Sequence, residues 1–182
     1  GTAFFGLFYV PWSMLIGWLI RDEDGSYGVL SLVEVAGGIL NGWVLAVCPA
    51  MLAACAFMID VVPPGVIKAL HVTSWIIFDC TYMVATPQLI AIGLFTVLNK
   101  KQTMFPQWAG WISIAVGLTS LPLSLMPFVT EGPFVVPGLW SFGVVFGTYF
   151  VGFLLPYCSF VLRAPMQPGF LQAERGLREQ LL

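Results

Sequence analysis

The chain has 182 residues, of which 59% are hydrophobic and 9% charged, against roughly 25% charged in an ordinary soluble domain. So few charges cannot coat a water-facing surface, which excludes that class and makes lipid the expected solvent for most of the exterior. The formal net charge of −2 comes with no basic patch to meet phosphates, so no nucleic-acid partner is expected.

A helix that crosses roughly 30 Å of hydrocarbon needs about 20 apolar residues. That length divides the chain into about five spans. The first covers residues 4–20 and is followed by the charges Arg21-Asp22-Glu23-Asp24. The second lies within residues 29–59 and ends at Asp60, and the third lies within residues 66–98 and ends at Lys100-Lys101. Both are longer than one perpendicular crossing requires, so they are expected to tilt or to extend past the hydrocarbon. The fourth covers residues 108–129, before Glu131, and the fifth covers residues 139–162, before Arg163. Every span holds at least one proline, namely Pro11, Pro49, Pro87, Pro122 with Pro127, and Pro156. Each removes a backbone donor and frees a carbonyl one turn earlier. Kinked spans are the expectation, with broken helices lining a transport site as the alternative.

The fold expected is therefore all-α, a polytopic transmembrane helical bundle of about five kinked spans over residues 1–165. Residues 166–182 differ in kind. Phe170, Ala173, Leu177 and Leu181 recur at helical spacing, with Glu174, Arg175, Arg178 and Glu179 between them. This pattern suggests an amphipathic tail on the membrane surface or on a partner, the other reading being a solvated tail. Of the 7 basic residues, all but Lys68 fall on one side of the predicted spans. The excess of Lys and Arg marks that side as cytoplasmic, which puts the C-terminus inside and Gly1 outside. The chain opens on Gly1 and no signal peptide delivers it outward. A sixth span missing upstream is the expected explanation, a trimmed tail the alternative.

Among polar residues Asp79 is the most informative. It lies about 20 Å along the third span from Val66, at 1.5 Å per residue. A carboxyl at that depth must face the bundle interior, find a partner or hold a proton. On one uninterrupted helix Thr86 and Met83 share its face, Tyr82 borders it, and His71 lies roughly 80° around the axis. Asp79, Thr86, Tyr82 and His71 are thus the candidate buried polar site. The readings are a proton or cation site, or a carboxyl tied to a neighbouring helix through Ser, Thr or Tyr. Glu34 is expected to snorkel at the cytoplasmic interface. Asn41 and Gln88 lie deeper, as interhelical hydrogen-bond donors. His71, the only histidine, reads as a wetted residue near a helix end, and one histidine excludes a bis-histidine haem or a histidine-rich di-metal centre. Cys48, Cys55, Cys80 and Cys158 form no Cys-x-x-Cys pair, against disulfide exchange. No cofactor or metal is expected. Two G-x-x-x-G runs, Gly38 with Gly42 and Gly143 with Gly147, are the candidate helix-packing positions.

Two further stretches carry a resemblance. Phe105-Pro106-Gln107-Trp108-Ala109-Gly110-Trp111 opens the fourth span, and Glu131-Gly132-Pro133-Phe134 leads towards Gly138-Leu139-Trp140-Ser141-Phe142. From Pro63 to Ala164 the chain resembles an uncharacterised bacterial family of multi-span membrane proteins of actinobacterial type. That pattern has Thr before Gly-Pro-Phe and Asn before Gly-Leu, where this chain has Glu131 and Pro137. The resemblance implies six spans in a bacterial inner (plasma) membrane and carries no activity or site residue. The expected function is a non-catalytic membrane subunit that packs with other membrane protein subunits and stabilises a larger assembly. The alternative is a small transporter or permease for a proton-coupled or apolar solute, using Asp79. An enzyme acting on lipids has little residue support.

Overall fold

Apolar runs dominated by Leu, Ala, Ile, Val and Phe, with polar residues spaced singly, wind into helices that satisfy their own backbone. The computed structural model describes residues 2–21, 28–99, 104–129, 131–135 and 138–163, and among these every regular element is helical. The elements are α1 (Thr2–Leu19), α2 (Val29–Phe57), α3 (Pro64–Asp79), α4 (Tyr82–Leu98) and α5 (Gln107–Thr119). A 3₁₀ turn (Leu121–Phe128) continues α5, and two π-wound segments (Leu139–Phe146 and Tyr149–Leu154) run into α6 (Leu155–Arg163). The expected tail helix, the acidic run after Arg21 and the Lys100-Lys101 pair lie outside the described residues.

Among the described residues four rods are long and apolar enough to cross a membrane: Val29–Phe57, Pro64–Leu98, Gln107–Met126 and Leu139–Arg163. A shorter apolar helix, Gly6–Leu19, precedes them. These match the five predicted stretches in place. Much of their apolar surface points outward, since the share buried inside the bundle is 28%, 44%, 44% and 22% for the four rods in turn. The main apolar core gathers Ile16 and Ile20 of α1, Leu89, Ile92 and Phe95 of α4, Ala109 and Val116 of α5, and Phe153, Tyr157 and Val161.

Helical hydrogen bonding changes at one place in the third rod and not at the prolines of α1, α2 and α4. The α-helices run through Pro11, Pro49 and Pro87 without interruption. The third rod breaks upstream of Pro87, at Cys80 and Thr81, both still in right-handed helical conformation. Cys80 donates its N–H to the Ile76 carbonyl at 2.9 Å and Thr81 to the Phe78 carbonyl at 3.2 Å. The Thr81 hydroxyl also donates to Phe78 O, at 2.7 Å. A tightened turn of this kind keeps backbone groups satisfied while changing the angular phase of the downstream helix.

Close crossings depend on missing side chains. A Cβ on Gly38 would collide with Ser13 of α1, and one on Gly42 with Val10. Bare backbone there lets α1 lie directly against α2. The α4–α5 crossing uses a pair that G-x-x-x-G spacing does not reveal: a Cβ on Gly93 would stand 2.8 Å from Gly110 O, and one on Gly110 would stand 3.0 Å from Gly93 O. Gly143 and Gly147 pack no other helix of this chain among the described residues, which leaves them, of the two expected settings within the bundle or against another subunit, only the second. A Cβ on Gly143 meets only Leu139 of its own segment, and one on Gly147 meets nothing within 4 Å. The motif reports spacing along a helix, not which side a neighbour covers.

Candidate functional site

Asp79 ends α3 at the break in the third rod and is 3% exposed. Ser141, in the first π segment, donates its hydroxyl to Asp79 Oδ1 at 2.7 Å. Oδ2 is buried and has no hydrogen-bond partner. One oxygen of the carboxyl is thus tied to a neighbouring helix, while the other is unsatisfied.

The carboxyl borders a cavity with about 660 Å³ of empty space, part of it open to the exterior. The broken rod supplies Phe78, Asp79, Thr81 and Tyr82, α2 supplies Asn41, Val44 and Leu45, and α1 supplies Tyr9. The π-wound wall contributes Ser141, Val145 and Tyr149 at four-residue spacing, and beside them Phe146 and Phe150. π winding commonly marks functional sites, and here its length runs along the cavity. A smaller cleft of about 400 Å³, between α2, α3 and the same wall, shares Phe78 and Phe146 with the first. Those two rings, 5.7 Å apart, stand between the two spaces.

No protein-family model, curated protein or solved structure matches the chain. What the site does must therefore be argued from its own groups.

Of the four predicted site residues, the structure brings together Asp79 and Tyr82. Thr86 is buried but faces α5, donating to Gly117 O at 3.1 Å. Seven-residue spacing puts Thr86 on the face of Asp79 only along an unbroken helix, and the turn at Cys80–Thr81 removes that phase. His71 is exposed on α3, where its Nε2 accepts from Trp75 Nε1 at 3.3 Å. It is exposed and does not join the buried site.

Glu34 departs furthest from expectation. It does not snorkel but is 0% exposed between α1, α2 and α4, because glycines on both helices bring α1 down onto it. Gln88 Nε2 donates to Glu34 Oε1 at 3.0 Å. The Ser13 hydroxyl lies within reach of both Oε1, at 3.0 Å, and the Glu34 carbonyl, at 3.1 Å. Gln88 Oε1 in turn accepts from Asn41 Nδ2 at 2.6 Å and from the Tyr9 hydroxyl at 3.2 Å. Tyr9 also hydrogen-bonds Tyr149. Asn41 and Gln88 therefore do serve as interhelical donors. Through Asn41, Tyr9 and Tyr149 the cluster reaches the cavity wall, while Glu34 and Gln88 stay behind it. The sequence signal that could have found this was the polar series Ser13, Glu34, Asn41 and Gln88 in otherwise apolar spans.

Among the described residues no group of three or more His, Cys, Asp or Glu is placed to hold a metal ion. The arrangement can bind a small solute through a carboxyl, hydroxyls and aromatic rings, and it can pass a proton between Asp79 and whatever enters.

Proposed function

We propose that the chain is an integral membrane protein of the bacterial plasma membrane type, C-terminus inside, that acts as a small permease with Asp79 as its solute- and proton-binding group. The exposed apolar flanks of the rods support the lipid setting, since water tolerates no such continuous apolar exterior. The observation that carries the transport reading is the partly open cavity bordered by a buried carboxyl with one unsatisfied oxygen. In hydrocarbon such a group is costly unless it faces a pathway or a partner. A helix broken at the site is the usual way such proteins expose polar groups at mid-depth. The test is proton movement into proteoliposomes of the purified chain on addition of small amines, alcohols and carboxylates, with Asp79→Asn in parallel. Solute-dependent flux lost in the variant supports the reading; flux absent from the native chain for every class overturns it.

A second reading, a non-catalytic subunit that stabilises other membrane protein subunits, is favoured by the apolar side chains at the α2–α3 hairpin. Phe57, Ile59 and Val61 are 86%, 64% and 77% exposed there. Gentle extraction followed by mass spectrometry separates the two: stoichiometric partners support the subunit, and a chain that travels alone sinks it.

A further inference from the structure

We infer that the cavity takes a small organic cation, an ammonium carrying an aromatic or alkyl body, with its charge on Asp79 and its body against Phe78, Phe146, Phe150 and Tyr149. The inference rests on the solute-binding reading above and names the class of solute. Its first support is the charge of the walls. Among the described residues that line the cavity Asp79 is the only ionisable acid or base apart from tyrosines, and none is Lys, Arg or His. The second buried carboxyl, Glu34, is linked through Gln88 to Asn41 of the cavity wall, and it too is an acid. An anion would meet repulsion with no compensating cation.

The second support is the donor inventory. The Ser141 hydroxyl is committed to Asp79 Oδ1, the Thr81 hydroxyl to Phe78 O, the Tyr9 hydroxyl to Gln88 and Tyr149, and the Asn41 amide to Gln88, which leaves the hydroxyls of Ser120 and Tyr82 as neutral donors in the lining. Oδ2 remains a buried acceptor without a donor. An ammonium supplies N–H donors and the opposite charge to that atom in one group. A bare metal ion is a poor alternative, because a hard cation takes six or more oxygen ligands and the site offers a single carboxyl. The cation must bring its own apolar body.

The third support is the shape and electronics of the wall. Phe78 and Phe146 are tilted by 49° at 5.7 Å, and Phe146 and Phe150 by 46° at 4.6 Å. Tyr149 and Phe150 meet at 70° and 6.3 Å. Rings inclined to one another form a curved surface rather than a flat stack, and ring faces attract cations through their quadrupole.

The experiment is equilibrium dialysis of the full chain in nanodiscs against 2-phenylethylammonium, its neutral isostere 2-phenylethanol, and 3-phenylpropanoate. The ammonium should bind at least about 30-fold more tightly than either, and Asp79→Asn should remove that preference, as expected for loss of one partner of a buried charge pair. Phe146→Leu keeps an apolar side chain and the carboxylate but removes a ring face, and should weaken the ammonium about 2- to 30-fold, more than the alcohol, which shares the ring contact but not the cation–ring attraction. This variant carries the test if Asp79→Asn does not fold. Equal affinity for ammonium and alcohol, or an ammonium preference that survives in both variants, overturns the inference. Uptake of the alcohol but not the amine by proteoliposomes also overturns the cation class and leaves the permease standing. Selective amine binding without uptake upholds the cation site and overturns the permease.

Discussion

Two carboxyls lie buried among the described residues, Glu34 at 0% and Asp79 at 3% exposure, and their surroundings differ. Glu34 sits where α1, α2 and α4 converge, with Gln88 and Ser13 donating to it and Asn41 and Tyr9 completing the hydrogen bonds of Gln88. Asp79 has Ser141 as its donor and a cavity beside it. Crowded polar networks rigidify a core, and removing one member strands the others. A carboxyl with a free oxygen beside open space is instead available to a ligand. Each carboxyl leaves one buried oxygen without a hydrogen-bond partner, Glu34 Oε2 as well as Asp79 Oδ2, so what separates the two is the cavity beside Asp79 and not depth or the supply of fixed partners.

Substitutions at the two places should therefore fail in different ways. The largest effect expected is on transport: Asp79→Asn should reduce proteoliposome uptake to the protein-free background while the chain elutes as a monodisperse species. Retained uptake would erase the proposed difference between the two carboxyls. Glu34→Ala should act on stability, costing about 1–3 kcal/mol for each stranded donor, visible as a lower thermal midpoint in detergent. Glu34→Gln, which keeps an acceptor for Ser13 and Gln88, should recover much of that loss.

Backbone approach sharpens the same comparison. Gly38→Ala pushes a methyl group into Ser13 at the Glu34 cluster, and overpacking of this kind costs about 1–3 kcal/mol. Gly147→Ala, with nothing within 4 Å of the new methyl, should leave the midpoint unchanged or raise it slightly, because alanine favours helix. A loss at Gly147 equal to that at Gly38 would mean that the π-wound wall packs against a neighbour after all. Ser141→Ala removes the one hydrogen bond to Asp79 and should cost about 0.5–1.5 kcal/mol, measured by the same melting assay. The smallest effect belongs to His71→Ala on the exposed face of α3, within about 0.5 kcal/mol of the native chain and with uptake unaltered.

The long apolar helices are legible in the sequence because crossing length and hydropathy are properties of consecutive residues. Asp79 stands out for the same reason, as a lone carboxyl in an apolar run. Asn41 and Gln88 are recognisable as donors because a polar amide in such a run has few other uses. The companions of Asp79 are not legible. Angular phase along one rod groups Thr86 and His71 with it, and that phase ends at Cys80–Thr81, where a turn tightens upstream of the nearest proline. Gly143 and Gly147 satisfy a packing motif but meet no other helix among the described residues of this chain, whereas Gly93 and Gly110 meet across α4 and α5 without one.

By itself the sequence determined an all-helical chain, the positions of its long apolar rods, the scarcity of groups able to do chemistry, and the presence of a carboxyl deep in the third rod. These properties arise from composition and from periodicities a few residues long. Only the tertiary structure decided that Glu34 is enclosed rather than at an edge, that Ser141 holds one oxygen of Asp79, and that Tyr9, Asn41, Tyr149 and Phe146 share a cavity with it. Those outcomes depend on which helix faces which, and that is set by glycine contacts and local breaks between residues far apart in the chain.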